Sequence, residues 1–260
     1  MTPLREAMGV IHNPPLEEER TCHDHGAYAA KCYLGAVWTG CPKCREAEQA
    51  RQAEELAAKA RQAKRQEWLD RIGGAGIPER FRDRTLATFE ATTEGQRRAL
   101  AFATAYAEGF PEALRTGRCA MFVGRPGTGK THLAAGIGLR VIGKHGATVL
   151  FTTTLRAIRR VKDTWVKGSK ESESSAIEAL AFPDLLIMDE VGLQYGSDAE
   201  KLILFDVLNE RYERRKPCLL ISNLRLDGVR SYLGDRIWDR LREGGGEAIP
   251  FDWQSRRGAA

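Results

Sequence analysis

Gly124-Arg125-Pro126-Gly127-Thr128-Gly129-Lys130-Thr131 is the stretch whose reading decides the fold. It fits the phosphate-binding pattern G-x-x-x-x-G-K-[ST] at every specified position. The glycines let backbone N–H groups turn inward around an anion. Lys130 brings a point charge to the β- and γ-phosphates of a nucleoside triphosphate, and the Thr131 hydroxyl is suited to Mg2+. The helix expected from Lys130 points its positive dipole end at the same anion. His132, next in the chain, is grouped with the loop as a nucleotide contact. Upstream, Cys119-Ala120-Met121-Phe122-Val123 reads as a buried strand, and downstream Leu133, Ala134, Ile137 and Val141 recur at helical spacing.

Working outward, the chain from Ile77 alternates short apolar runs with helical patterns. Strands are expected at 119–123, 147–152, 184–188, 218–222 and 247–251. Helices are expected at 95–108, 130–144, 154–166, 199–215 and 235–242. Strands separated by helices imply an α/β fold with a mostly parallel sheet covered on both faces. In such sheets ligands sit at the carboxyl ends of the strands.

Two further stretches fall at strand ends. Asp184-Leu185-Leu186-Ile187-Met188-Asp189-Glu190 is an apolar strand closing on two acids. Asp189 is suited to hold Mg2+ through water, and Glu190 to orient and deprotonate an attacking water. Ile221-Ser222-Asn223 ends the next strand, where the Asn223 amide would touch the γ-phosphate or that water; Ser-Asn is also ordinary turn chemistry. Arg236 and Arg240 lie at i and i+4 on one helix face, flanked by Asp235 and Asp239. They are either a solvated, self-paired face or an arginine finger for a neighbouring subunit's phosphate. Arg256 and Arg257 form a second basic pair.

The amino-terminal third has another character. Residues 1–20 read as a flexible start, with Pro14-Pro15 and an acidic run. Cys22-x-x-His25 and Cys41-x-x-Cys44 are two close pairs fifteen residues apart. That spacing suits a closed tetrahedral zinc (Zn2+) site, with His23 and Cys32 as alternative ligands. Residues 45–71 contain no Gly or Pro and are rich in Ala, Glu, Gln, Lys and Arg, a composition for a long exposed helix. Its large apolar residues are few: Leu56, Trp68 and Leu69. Gly73-Gly74-Ala75-Gly76 is expected to break that helix and serve as the 72–76 linker before a domain over 77–260. Cys119 and Cys218, inside expected strands, read as core residues.

The net charge of +5 is compatible with a nucleic-acid partner without pointing strongly to one. Met1 to Leu16 has no apolar core of the kind a signal peptide needs, and no run approaches the ~20 apolar residues of a membrane span. The expectation is a cytoplasmic protein with reduced thiols.

With these pieces in order, the chain resembles the DnaC-type replicative helicase loaders of the AAA+ ATPase class, in a phage- or prophage-like form. The stretches that carry the resemblance are Ile77-Pro78-Glu79-Arg80-Phe81, Asp189 to Ser197, and Leu208-Asn209-Glu210-Arg211-Tyr212-Glu213. Further ones are Ser222-Asn223-Leu224, Leu233 to Leu241, and Phe251-Asp252-Trp253-Gln254-Ser255-Arg256-Arg257. The resemblance implies an AAA+ P-loop domain that hydrolyses ATP. Lys130 and Thr131 would bind phosphate and magnesium, Asp189 and Glu190 would be the Walker B pair, and Asn223 would be sensor 1. Arg240, or else Arg236, would be a finger acting in trans, and Arg257, or else Arg256, sensor 2. By analogy the zinc segment and residues 45–71 would grip a ring-shaped, DnaB-type helicase. The helix from Leu155 to Trp165, with Arg156, Arg159, Arg160 and Lys162, would meet single-stranded DNA; a solvated cationic face would read the same. Self-association in the ATP-bound form is implied as well. Two rivals share these residues: an IstB-type transposition helper acting on duplex DNA, and an adaptor that binds ATP but scarcely hydrolyses it.

Overall fold

The computed structural model describes residues 15–33, 37–193 and 197–255, without the side chains of 61, 64, 65 and 67–73. The chain divides into two compact units, one ending at Gln66 and the other beginning at Glu67.

In the first unit, β1 (Leu16–Cys22) and β2 (Gly26–Tyr33) form an antiparallel hairpin, and β3 (Val37–Trp38) pairs with the end of β2. β1 begins inside the segment expected to be flexible; residues 1–14 lie outside the described residues. Helix α1 (Pro42–Gly74) starts at a proline, whose fixed φ and missing N–H suit a first helical turn. Exposed pairs such as Glu55–Lys59 (2.7 Å) support it along its polar surface.

The expected break at Gly73-Gly74 does not occur there. α1 runs through both glycines, and the chain turns at Gly76, where φ is +67°. A glycine near a helix end forgoes only ~1 kcal/mol relative to alanine, which the following contacts offset. Ala75 is buried, and its carbonyl accepts the Phe151 N–H at 2.6 Å. The segment is therefore seated on the second unit's sheet rather than loose.

The second unit holds α2 (Glu94–Glu108), α3 (Phe110–Thr116), β4 (Ala120–Gly124), α4 (Lys130–His145), β5 (Val149–Thr153) and α5 (Thr154–Asp163). There follow α6 (Glu173–Ala181), β6 (Leu185–Asp189), α7 (Asp198–Glu213), β7 (Cys218–Ser222), α8 (Leu226–Leu233), α9 (Asp235–Arg242) and β8 (Glu247–Phe251). The strands form a wholly parallel sheet in the order β5-β6-β7-β4-β8. Each expected strand is present within two residues. Helix α5 stops at Asp163, short of the expected 166, while α3, α6 and α8 were not anticipated.

The central strands β4, β6 and β7 are apolar up to their carboxyl ends because both faces are covered. Phe122, Ile187, Leu219 and Ile221 pack on the side of α2 and α4. Met121, Leu186, Met188 and Leu220 pack on the side of α5, α7 and α9. Parallel pairing sends Gly124, Asp189, Ser222 and Phe251 to one edge of the sheet. Among the described residues no helix is long and apolar enough to cross a membrane.

Candidate nucleotide site and metal centre

The phosphate-loop sequence joins β4 to α4. Gly124 has φ +129°, and a Cβ there would lie 2.3 Å from the Phe251 carbonyl oxygen. Glycine thus lets β8 close against the loop, and the Arg125 N–H donates to that carbonyl at 3.2 Å. At Gly129, φ is +97° and a Cβ would meet the Phe89 ring at 2.7 Å. The loop is braced internally: the Thr128 hydroxyl donates to the Arg125 carbonyl (2.8 Å) and the Trp253 indole to the Thr128 carbonyl (3.0 Å). The Lys130 ammonium, buried, donates to the Gly124 and Arg125 carbonyls, both at 2.7 Å. Gly129 offers no side-chain cap to α4, so that helix's first N–H groups face the loop's concavity.

On the facing strand, the Thr131 hydroxyl donates to Asp189 Oδ2 at 2.9 Å, and Asp189 Oδ1 accepts the Glu190 N–H at 2.7 Å. Glu190 itself has φ +63°, a left-handed conformation uncommon for a side chain of this kind. Beyond it, the Val191 N–H donates to the Ile221 carbonyl (2.9 Å) and the Ser222 hydroxyl to the Val191 carbonyl (2.6 Å). These bonds set Asn223 beside Glu190. Loop, acids and amide line one cleft of about 680 Å3. Arg80, Phe81 and Arg84 line it too. No site role was read for them in the sequence, although the stretch at Ile77 pointed to that region. His132 also reaches the cleft, and its Nε2–H donates to the Thr85 carbonyl at 3.0 Å.

The other expected residues lie elsewhere. Arg236 and Arg240, on α9, do not line this chain's own cleft. Arg240 Nη1 donates to Asn209 Oδ1, and its guanidinium stands over the Tyr212 ring at 4.9 Å. Arg236 stands over Phe205 at 5.1 Å. The flanking Asp235 pairs with Arg230 (2.7 Å), so the face is not simply self-paired. Arg256 and Arg257 lie outside the described residues, as do Gln194 to Gly196. On α5, Arg160 pairs with Glu171 and Lys162 with Glu200, whereas Arg156 and Arg159 are exposed and form no ion pair among the described residues. Trp165 follows the helix end, exposed, its indole donating to Glu173 (2.7 Å).

The family model for IstB-like ATP binding proteins matches residues 96–241. The chain belongs to that family. It is an AAA+ ATPase. Among the relatives of this IstB-like chain, the replicative helicase loader DnaC of Buchnera aphidicola subsp. Schizaphis graminum is 34% identical over 186 residues, 72% of this chain and 74% of that one. The Escherichia coli K12 protein YdaV, itself uncharacterised, is 32% identical over 209 residues, 80% of each chain. A crystal structure of the DnaC helicase loader shares the fold with a TM-score of 0.60 at 23% identity, covering 66% of this chain and 99% of that one.

Ahead of the IstB-like region, Cys22, His25, Cys41 and Cys44 converge between the β1–β2 turn and the start of α1. Their donor atoms all lie within 4.8 Å of one another. Cys22 Sγ is 3.4 Å from Cys44 Sγ, and His25 Nδ1 is 3.2 Å from Cys44 Sγ and 3.8 Å from Cys41 Sγ. Two thiolates on one zinc at ~2.3 Å stand about 3.8 Å apart, so the four donors fit a closed tetrahedron. Hydrogen bonds from the Asp24 backbone, His25 and Cys44 pull the Cys22 thiol down to about 6. The alternative ligands are elsewhere: His23 is exposed against Asp24, and Cys32 is buried within β2.

Proposed function

We propose that this chain is an ATP-dependent loader that binds a ring-shaped, DnaB-type replicative helicase and delivers it onto single-stranded DNA as replication begins. The observation that carries the reading is the kinship with replicative helicase loaders, 31–34% identical over 72% of the chain. In this reading the phosphates of ATP lie against the loop N–H groups and the Lys130 ammonium. Thr131 and Asp189 would hold Mg2+, which neutralises phosphate charge when bound. Glu190 orients and deprotonates the attacking water, and Asn223 senses the γ-phosphate. Arg240 of a neighbouring copy stabilises charge developing at that phosphate, with Arg236 and Arg257 as further nucleotide contacts. ATP acts mainly as a switch that orders the assembly.

Cys22, His25, Cys41 and Cys44 would hold Zn2+, which fixes the hairpin to the start of α1. This module, 21–44, and the helical segment 45–71 would grip the helicase, leaving the ATPase domain over 77–260. Arg156 and Arg159 on α5 are the cations disposed to meet a phosphate backbone, with Trp165 offering a stacking face.

The test is ATP hydrolysis across protein concentration, with single-stranded or duplex DNA, against Lys130→Ala. A per-chain rate that rises with concentration and responds mainly to single strands is expected. The IstB-like family match favours a second reading, the transposition helper, and a duplex preference would establish it over the loader. Hydrolysis no higher than in the Lys130→Ala control would leave the ATP-binding adaptor.

A further inference from the structure

Leu208-Asn209-Glu210-Arg211-Tyr212-Glu213 is a distinctive stretch to which the nucleotide chemistry above gives no task. We propose that Asn209 and Tyr212 are positioning residues for Arg240, holding its guanidinium in the pose it presents to a neighbouring copy's phosphate. The proposal rests on the reading that Arg240 acts in trans.

Phe205, Asn209 and Tyr212 recur at i, i+4 and i+7, so they form one stripe along α7. That stripe faces α9. Asn209 Oδ1 accepts Arg240 Nη1, while the Asn209 amide nitrogen donates to Glu213 Oε1 at 2.8 Å. Glu213 thereby turns the amide so that its oxygen, not its NH2, meets the guanidinium. The Tyr212 ring lies 4.9 Å from the guanidinium carbon and the Phe205 ring 5.7 Å. The Tyr212 hydroxyl donates to Glu243 Oε2 at 2.6 Å, which fixes the ring. Arg240 is half-buried in this seat. Among the described residues Arg240 makes one side-chain hydrogen bond, through Nη1, so other guanidinium N–H groups remain for an incoming oxyanion. Arg236, one turn earlier, is exposed and has a ring contact but, among the described residues, no comparable amide. The geometry therefore favours Arg240 over Arg236 as the finger.

Between them Arg211 faces the other way. It is fully buried and donates to the carbonyls of Ala181 (2.9 Å), Pro183 (2.8 Å) and Pro217 (2.7 Å). This bolts the end of α7 to the approaches of β6 and β7 and fixes the rotation of the stripe. A finger displaced by ~1 Å can lose ~100-fold in rate, so a rigid seat has a kinetic consequence.

The experiment mixes two inactive chains. Lys130→Ala donates an intact Arg240, and Arg240→Ala supplies an intact cleft. Mixing should restore hydrolysis. Donors that also carry Asn209→Leu or Tyr212→Ala should restore about tenfold less kcat or lower. KM for ATP and the donor concentration giving half-restoration should stay the same. Tyr212→Phe, which keeps the ring, should restore most of the rate. Should Asn209→Leu not fold, Glu213→Ala disturbs only the amide's orientation and should cost several-fold. Full restoration by the altered donors, or a deficit overcome by adding more donor, would overturn the proposal. No restoration even by the unaltered donor would overturn the trans-acting reading beneath it.

Discussion

Asp184 stands at the entry to β6, where its Oδ2 accepts the Thr148 N–H (3.0 Å) and hydroxyl (2.9 Å) and its Oδ1 the Lys216 ammonium (2.6 Å). Partial burial opposes ionisation, but these donors outweigh it and hold the carboxyl below its usual range. A folded value below the unfolded one contributes stability that is complete above about pH 4 and fades as pH falls through the folded value. Asp184→Asn should therefore cost about 1 kcal/mol at pH 7, read from urea midpoints, and progressively less as pH falls below about 4. In the cleft, Glu190→Gln should leave ATP binding intact and lower hydrolysis by about 10²–10⁴-fold, whereas Lys130→Ala should abolish binding itself. The placement of both residues in this cleft was legible in the sequence because the loop and the acids are written in consecutive letters at fixed spacing. The partners of Arg240 were not, because Asn209 and Tyr212 meet it only through the packing of α7 on α9.

Among the elements, the central parallel strands were readable from composition, since a strand covered on both faces is apolar until its exposed carboxyl end. The β1–β2 hairpin was not. Its strands are short of apolar alternation and largely exposed, and they are tied at one end by the Cys/His cluster rather than by a core. Chelation of metal should accordingly remove hairpin structure while the sheet of the second unit survives, giving two separate transitions in heat unfolding. Metal content should be about one zinc per chain and fall in Cys41→Ser. Arg211 likewise left no local signal: a charged residue inside an exposed-looking run is the plug beneath α7. Arg211→Ala strands several buried carbonyls and should cost about 3 kcal/mol or more in chemical unfolding.

At the level of the molecule, the sheet order places phosphate loop, acids and amide on one edge, while the arginines of α9 lie away from the same chain's cleft. A dilute solution should then turn over ATP slowly, with the rate per chain climbing as copies meet. The left-handed backbone at Glu190 has a different consequence. Holding a non-glycine residue there costs of the order of 1 kcal/mol, and glycine would relieve it. Selection for heat resistance alone would thus favour Glu190→Gly, a sturdier chain that, on the role proposed for Glu190, should no longer hydrolyse ATP. Persistence of the glutamate under such a screen would mean that this corner holds no strain for glycine to relieve.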